Sequence, residues 1–123
     1  MFSHVFVSVG DFDRALAFYT PLMASLGLER RFFDPARPWA GWHSAVCHPH
    51  DGQPHDPGNG QMPAFTASSR EVVRQAHAAG LAHGGTCEGP PGLRPQYHAN
   101  YYGAYLRDPD GNKLGIACHA AEP

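Results

Sequence analysis

The chain has 123 residues, 42% of them apolar, which is enough for a single domain with its own core. Its formal net charge is -2, and its nine basic residues are scattered without a run. These properties exclude the basic surface that binding to nucleic acid or to an anionic membrane requires.

The sequence also lacks the marks of a membrane or exported protein. No window approaches the roughly 18 apolar residues of a membrane span, and "FSHVFVSVG" after Met1 has no cleavage-site pattern. Cys47, Cys87 and Cys118 are odd in number and lack a CxxC spacing, so a disulfide framework or cysteine zinc site is not indicated. We therefore expect a cytoplasmic chain with reduced, mostly buried thiols.

The first half begins with a strand and a helix. Residues 2–9 alternate, so the valines lie on one face while His4, Phe6 and Ser8 lie on the other. Asp11 is the predicted N-cap of a helix that ends at Gly27, and Pro21 is expected to kink or split it. The apolar stripe of this helix is Phe12, Ala15, Leu16, Tyr19, Leu22, Met23 and Leu26.

The middle of the chain contains two predicted strands and a long loop. "LERRFF" and "WAGWHSAVC" are typical of strands. Trp39 and Trp42 form either a wall of a cleft or part of the core or an interface. Residues 48–60 are polar and rich in Pro, Gly, Asp and His, which predicts a surface loop joining two halves.

The second half repeats the order of elements. "QMPAFTA" predicts a strand, and Ser68 with Glu71 predicts a capping box for a helix that stops at Gly80, with His77 exposed. "HGGTCEG" is a further strand and "PPGLRPQYHAN" a loop. "YYGAYLR" and "NKLGIACH" then form a hairpin around "DPDG", where Gly111 takes the left-handed position.

An offset of 58 residues superimposes the two halves, placing Val7 over Phe65 and His4 over Met62. Neither half can close a core alone, so we predict one α+β domain over residues 1–123. Its modules cover about 1–59 and about 60–123, and their helices lie on the outer face of a shared curved sheet. The opposite face forms a cleft.

A tyrosine-rich segment, "GLRPQYHANYYGAY", carries candidate chemistry. Tyr101 and Tyr105 share a strand face, and the preceding loop brings Arg94, Tyr97 and His98 close. Arginine and phenol donors with an imidazole acid or base could bind an anionic or carbonyl-bearing molecule. Alternatively, these aromatic side chains pack the sheet and cover its edge.

The first strand and helix, the capped second helix and "YYGAYLRDPDGNKLGIACH" resemble the vicinal oxygen chelate superfamily. This superfamily includes glyoxalase I, bleomycin and fosfomycin resistance proteins and extradiol dioxygenases. The resemblance implies paired βαβββ modules, a dimer, and a divalent metal held by four side chains. His4 matches the first ligand, whereas Met62 and Gly115 stand at two others, and "WHSAVC" holds no carboxylate for the fourth.

The leading hypothesis is therefore a small-molecule-binding protein or enzyme of this superfamily with a degenerate metal site and no cofactor. Catalytic candidates are His98, Tyr101 and Arg94, and His4 is the only predicted metal ligand. The predicted cleft lining is His4, Phe6, Trp42, Met62, Tyr101, Tyr105 and Gly115.

Two alternatives stay open. A metal-dependent lyase or dioxygenase would need substitute ligands such as His43, His98 or His119, so a divalent metal remains possible. A catalytically inert interaction subunit would need neither a metal nor an accessible cleft.

Overall fold

The computed structural model describes residues 2, 4–42 and 44–122, and within them the fold is two βαβββ modules, as predicted. The first module consists of β1 (Val5–Ser8), α1 (Phe12–Ser25), β2 (Phe32–Asp34), β3 (Trp39–Gly41) and β4 (Ser44–Cys47). The second consists of β5 (Ala64–Thr66), α2 (Arg70–Ala82), β6 (Thr86–Leu93), β7 (Tyr102–Arg107) and β8 (Lys113–Cys118). No helix in these ranges is long and apolar enough to cross a membrane.

Each module forms its own four-stranded mixed sheet. The strand orders are β1-β4-β3-β2 and β5-β8-β7-β6, with the outer pairs β1–β4 and β5–β8 parallel. Phe6 pairs with Ala45 in the first sheet, and Ala64 pairs with Gly115 in the second. Because Phe6 and Ala64 are 58 residues apart, this register gives the internal repeat a structural counterpart.

Helix α1 follows the predicted pattern, except at its proline and at Phe18, which is buried although the predicted stripe omits it. The Asp11 side chain accepts a hydrogen bond from the Arg14 N–H at 3.0 Å, and Gly27 follows the helix with φ +79°. Of the kink or split predicted at Pro21, the split is wrong, because one helix spans both sides of the proline. Leu22 and Met23, beyond the proline, continue the buried stripe, so packing outweighs the lost backbone hydrogen bond.

Helix α2 departs from the prediction at both ends. Ser69, not Ser68, caps the helix by accepting the Val72 N–H at 3.1 Å. The helix also continues through Gly80, where a Cβ would lie 2.6 Å from Leu106 Cδ1. Gly80 is therefore a close-packing residue, and the left-handed glycine beyond the helix is Gly84, with φ +98°.

The expectations for His77 and for the thiols were also wrong in part. His77 is buried, with its Nε2 3.2 Å from Cys87 Sγ, and burial lowers the pKa of His77. Cys118 is buried, but Cys47 is half-buried and Cys87 is exposed. Since α2 is buried on the side that faces β6, His77 lies between the helix and the sheet.

Two strand predictions change. The predicted "WAGWHSAVC" strand is two antiparallel strands, β3 and β4, so the chain reverses within it. Strand β6 extends through Pro90 and Pro91 to Leu93, which the sequence assigned to a loop. The ladder with β7 shifts register on both sides of Gly89, and β6 is an edge strand. Prolines are tolerated there because edge strands and bulges leave backbone N–H groups unpaired.

The turn between β7 and β8 joins the two modules. Asp108 is 4% exposed and accepts hydrogen bonds from the Asp110 and Asn112 N–H groups at 2.9 Å. It also accepts the phenol of Tyr19, from the buried face of α1, at 2.5 Å. Burial and the Asp108 carboxylate raise the pKa of Tyr19 well above its ordinary value, so the phenol stays protonated as a donor.

Neighbouring residues of the turn extend this contact. Asn112 Nδ2 donates to the carbonyl of Ser8 at 2.9 Å, and Asp110 Oδ1 accepts from Gly10 N and from Arg14. The turn itself closes as predicted, since the Gly111 N–H donates to the Asp108 carbonyl and Gly111 has φ +90°. The end of β1 and the start of α1 are thus held by the second module.

We expect Asp108→Ala to lower the free energy of unfolding by on the order of 3 kcal/mol, because it leaves buried donors without an acceptor. Urea denaturation followed by circular dichroism measures this loss. Asp51→Ala is the matched control, since Asp51 accepts the Gln53 N–H at 3.0 Å in an exposed turn. A loss no larger than the control's would contradict the assigned role of Asp108.

Candidate functional site

The open face of the first sheet is an aromatic surface. Phe6, on β1, is 50% exposed and stacks on Trp39 of β3 at 6.4 Å between ring centroids. Phe32 of β2 meets Trp39 edge-on at 5.2 Å, and His4 meets Phe6 edge-on at 5.1 Å. On β1, period-2 alternation places His4 and Phe6 on the face opposite the buried valines.

Two adjoining cavities share Phe6 and Trp39, and together we call them the aromatic groove. One, of about 390 Å³, is lined by His4, Phe6, Arg31, Phe32, Trp39, Trp42, Ser44 and Ala45. The other, of about 690 Å³, is lined by Phe6, Ser8, Arg37, Trp39, Cys47, His48, Pro49 and His50. Each volume falls within the range of small-molecule pockets.

The groove has a cationic margin. The Arg37 guanidinium lies 4.7 Å from the Trp39 ring centroid and forms an ion pair with Asp34 at 3.2 Å. That arginine hydrogen bond is the largest cause of the lowered pKa of Asp34. Arg31, at the other end, lines the smaller cavity. An aromatic ligand carrying an anionic group would meet both kinds of partner here.

The open face of the second sheet gathers another set of predicted residues. A Cβ built on Gly115 would lie 3.4 Å from Met62 Cε and from Tyr105 Cε1, and 3.3 Å from Ala64 Cβ. The side chain of Met62 therefore reaches the position beside Gly115. Tyr101 and Tyr105 share this face, with their hydroxyls 3.1 Å apart.

Two cations lie over the Tyr105 ring: the Arg94 guanidinium at 5.5 Å and the Lys113 ammonium at 5.6 Å from its centroid. Burial, followed by the hydrogen bond with Tyr101, raises the pKa of Tyr105, while Arg94 opposes this rise. Arg94 also donates to the Pro90 carbonyl at 2.7 Å, which fixes its position. The Tyr105 phenol is therefore protonated at neutral pH and can donate a hydrogen bond.

His98 and His119 form a pair beside Tyr101. His98 Nδ1 accepts the Asn100 N–H at 3.2 Å, so its ring proton lies on Nε2. That nitrogen is 2.9 Å from Nδ1 of His119 and donates to it. Both ring nitrogens of His98 are engaged, so His119 is the member of the pair that can offer Nε2 to a ligand.

The predicted site residues therefore fall into two groups. His4, Phe6 and Trp42 line the aromatic groove, while Arg94, His98, Tyr101 and Tyr105 gather on the second sheet with Met62 and Gly115. Met62 lines a different cavity, of about 480 Å³, together with Phe2 and Val5 of the first module. His43 lies outside the described residues.

Sequence reasoning missed several groove residues. Arg37 lies within the turn-like "DPARP" and Arg31 in the predicted strand "LERRFF", and the sequence assigned a face to neither segment. Ala45 was missed because the 58-residue offset aligns it with Gly103, and only the parallel pairing with β1 places it opposite Phe6. His48 and His50 line the larger cavity although their loop has no regular structure.

The sequence matches a known protein superfamily. Residues 1–116 match the model of the Glyoxalase/Bleomycin resistance protein/Dioxygenase superfamily. The chain belongs to this superfamily. Among curated proteins, none matches the sequence with significance.

Several solved structures resemble the chain over nearly its whole length. A glyoxalase/bleomycin resistance protein from Albidiferax ferrireducens T118 is 38% identical, with TM-score 0.85, over 98% of this chain and 99% of its own. A lactoylglutathione lyase from Agrobacterium tumefaciens is 20% identical, with TM-score 0.65, over 96% and 92%. TioX from Micromonospora sp. ML1 is 18% identical, with TM-score 0.65, over 98% and 99%. The last two show the shared fold alone.

The superfamily's metal can be tested against the residues present. The register places Ala45 in the first module where Gly115 lies in the second, so the four expected ligand positions hold His4, Ala45, Met62 and Gly115. Of these, only His4 has a side chain that binds divalent metals well. Among the described residues, no group of three or more His, Cys, Asp or Glu could hold a metal ion. These residues do not fit the four-ligand site.

The His98 and His119 pair is also a poor substitute for such ligands. A histidine bound to metal through Nε2 carries its proton on Nδ1 and donates it to an acceptor. His98 Nδ1 instead faces the Asn100 N–H. Binding a metal at His98 Nε2 would therefore set two N–H groups against each other.

We expect Gly115→Glu with Met62→His to raise affinity for zinc or nickel, because the two positions are neighbours and would supply a carboxylate and an imidazole. Isothermal titration of untagged protein measures the change. Gly115→Gln with Met62→Leu matches the added bulk without adding strong ligands. Equal metal affinity in the two double variants would show that these positions are not the superfamily's ligand positions.

Proposed function

We propose that the protein binds an aromatic, anionic small molecule in the aromatic groove and does so without the superfamily's four-ligand metal. The observation that carries this proposal is the groove itself. Phe6, Phe32 and Trp39 are partly exposed around two adjoining cavities, with Arg31 and Arg37 at their margins. Apolar surface left open in a pocket and bordered by charge is typical of a ligand site.

The ligand's chemistry follows from the lining. Stacking on Trp39 and Phe6 favours a planar ring, and an arginine fork favours a carboxylate, sulfonate or phosphate on that ring. The alternating face of β1 supplies the apolar base, while the β2–β3 region supplies the charge. A binding protein needs no more than this, and an enzyme would need an added catalytic group.

The metal-dependent lyase reading has less support. It needs a metal to polarise the substrate and a carboxylate to move a proton. The expected carboxylate positions hold Ala45 and Gly115. A binding protein or enzyme that uses no metal needs no carboxylate at those two positions.

Pairing of two copies is a further part of the proposal. The groove leaves Phe32 42% exposed, and Phe6 half exposed, on an uncovered sheet face. A second copy could cover such a face while leaving a channel for the ligand. Light scattering on the purified protein gives its mass in solution. A strictly monomeric species at micromolar concentration would contradict the proposed pairing of two copies.

The test uses 8-anilinonaphthalene-1-sulfonate, an aromatic anion whose fluorescence rises in apolar sites. We expect saturable binding with quenching of tryptophan fluorescence, and Phe32→Leu should weaken it by about fivefold, since an aromatic contact contributes about 1 kcal/mol. Tyr97→Leu is the matched control. Tyr97 is 63% exposed, but it packs on Tyr101 of the second module at 4.9 Å between ring centroids.

Arg37→Gln should weaken binding of the same probe and reduce its dependence on salt, because a charge contact is lost. Equal affinities for the wild type, Phe32→Leu and Arg37→Gln would place the probe elsewhere on the molecule. That result would overturn the assignment of the groove.

A further inference from the structure

A serine at the end of the aromatic groove contacts a histidine from the long loop. Ser8 lies on the same face of β1 as Phe6 and lines the larger cavity. Loop residue His55 places its Nδ1 2.8 Å from Ser8 Oγ. When the hydroxyl donates to Nδ1, the ring proton lies on Nε2. The loop that joins the two modules thus brings an imidazole to the groove's hydroxyl.

The other side of His55 faces a second cavity, of about 520 Å³, which Arg14 and Asp110 also line. Two buried polar atoms there have no partner among the described residues: His55 Nε2 and Asp110 Oδ2. The Asp110 side chain is only 5% exposed, and its other oxygen is held by Gly10 N and Arg14. One oxygen is thus fixed while the other is left to accept a proton donor.

Gly10 borders both the carboxylate and the imidazole. A Cβ at Gly10 would lie 3.1 Å from Asp110 Oδ1 and 3.8 Å from His55 Cβ. Both side chains therefore lie beside the same stretch of backbone. A buried donor and a buried acceptor in one cavity are satisfied together by a bridging water or by a small rotation.

We propose that Ser8, His55 and Asp110 form a Ser-His-Asp relay, with Ser8 the nucleophile toward an activated acyl or phosphonyl group held in the aromatic groove. The inference rests on the groove being the ligand site. The relay uses Nδ1 toward serine and Nε2 toward aspartate, the reverse of the arrangement in serine proteases. Such constellations are defined by geometry and roles, not by sequence order.

The reaction balances without any oxidant or cofactor. Ser8 Oγ attacks the carbonyl carbon of an aryl ester, and its proton passes to His55 Nδ1. The bond to the aryloxide breaks, the aryloxide takes that proton, and an acyl-serine remains. Water then attacks the acyl-serine with His55 as base, which releases the carboxylic acid and restores the Ser8 hydroxyl. Asp110 is a positioning residue that orients His55.

The test uses a naphthyl-bearing fluorophosphonate, which loses fluoride on attack by an activated serine. We expect one adduct per chain, mapped to Ser8 by peptide mass spectrometry, and none in Ser8→Ala. His55→Gln should slow labelling by about a hundredfold, as expected for loss of a general base. Asp56→Asn, beside His55 in the same loop, should label at the wild-type rate.

The effect of replacing Asp110 on labelling has to be separated from the loss of its structural contacts. Asp110→Asn and Arg14→Gln both break the ion pair of 2.9 Å, but only the first removes the carboxylate. The relay predicts that Asp110→Asn slows labelling more than Arg14→Gln does. Equal rates in the two variants would reduce Asp110 to a structural contact and overturn its role.

Failure of the relay and failure of the groove give different results. Anilinonaphthalene sulfonate binding in Ser8→Ala, measured alongside, reports on the groove alone. If the wild type binds the sulfonate but forms no adduct, the relay is overturned and the groove is kept. The same conclusion follows if the adduct is on tyrosine or lysine and survives in Ser8→Ala. Loss of binding sensitivity to Phe32→Leu overturns the groove.

Discussion

The buried carboxylate of Asp108 is the constraint on which the arrangement of the modules depends. It closes the β7–β8 turn through backbone N–H groups and accepts the phenol of Tyr19 from the other module. A buried carboxylate is costly unless it is fully hydrogen-bonded, so the turn and the helix have to occupy these positions together. The DPDGN sequence therefore has a structural purpose that does not depend on any ligand.

The modules are joined through a turn and two helices. The faces of both sheets that point away from the helices are therefore left open. Phe18 of α1 lies against Gly80 and Gly85, so the helices carry much of the contact. The open faces differ in chemistry although their backbones repeat. The first presents indole and phenyl rings with arginine, and the second presents phenols with imidazole. One fold unit can thus carry two surfaces with separate binding properties.

Much of the fold could be predicted from the sequence because alternation and capping are local signals. The faces of β1, the helical stripe and the β7–β8 hairpin follow from residue spacing alone. The cap of α2 was missed because it depends on packing. The reversal after Gly41 was missed because no glycine-proline pair marks it, and the extension of β6 was missed because it depends on bulges. Gly80 shows the difficulty, since the same residue type ends helices and permits close packing.

The candidate site was less predictable. The grouping of Arg94, His98, Tyr101 and Tyr105 could be inferred from a strand and the loop before it. The contact between Ser8 and His55 could not, because residues 48–60 have no period that fixes their path. The division of the predicted cleft into two open faces also depends on how the modules pack, which no single segment encodes.

The contact between Asn112 and the carbonyl of Ser8 joins residues 104 positions apart. During synthesis, β1 and α1 emerge long before the turn that holds them. Tyr19 and the end of β1 therefore lack their hydrogen-bond partners, Asp108 and Asn112, until that turn is made. Contacts of such long range slow folding, since the chain loses loop entropy before it gains their stabilisation. Over that interval the aromatic strands of the first module expose apolar surface, which favours aggregation.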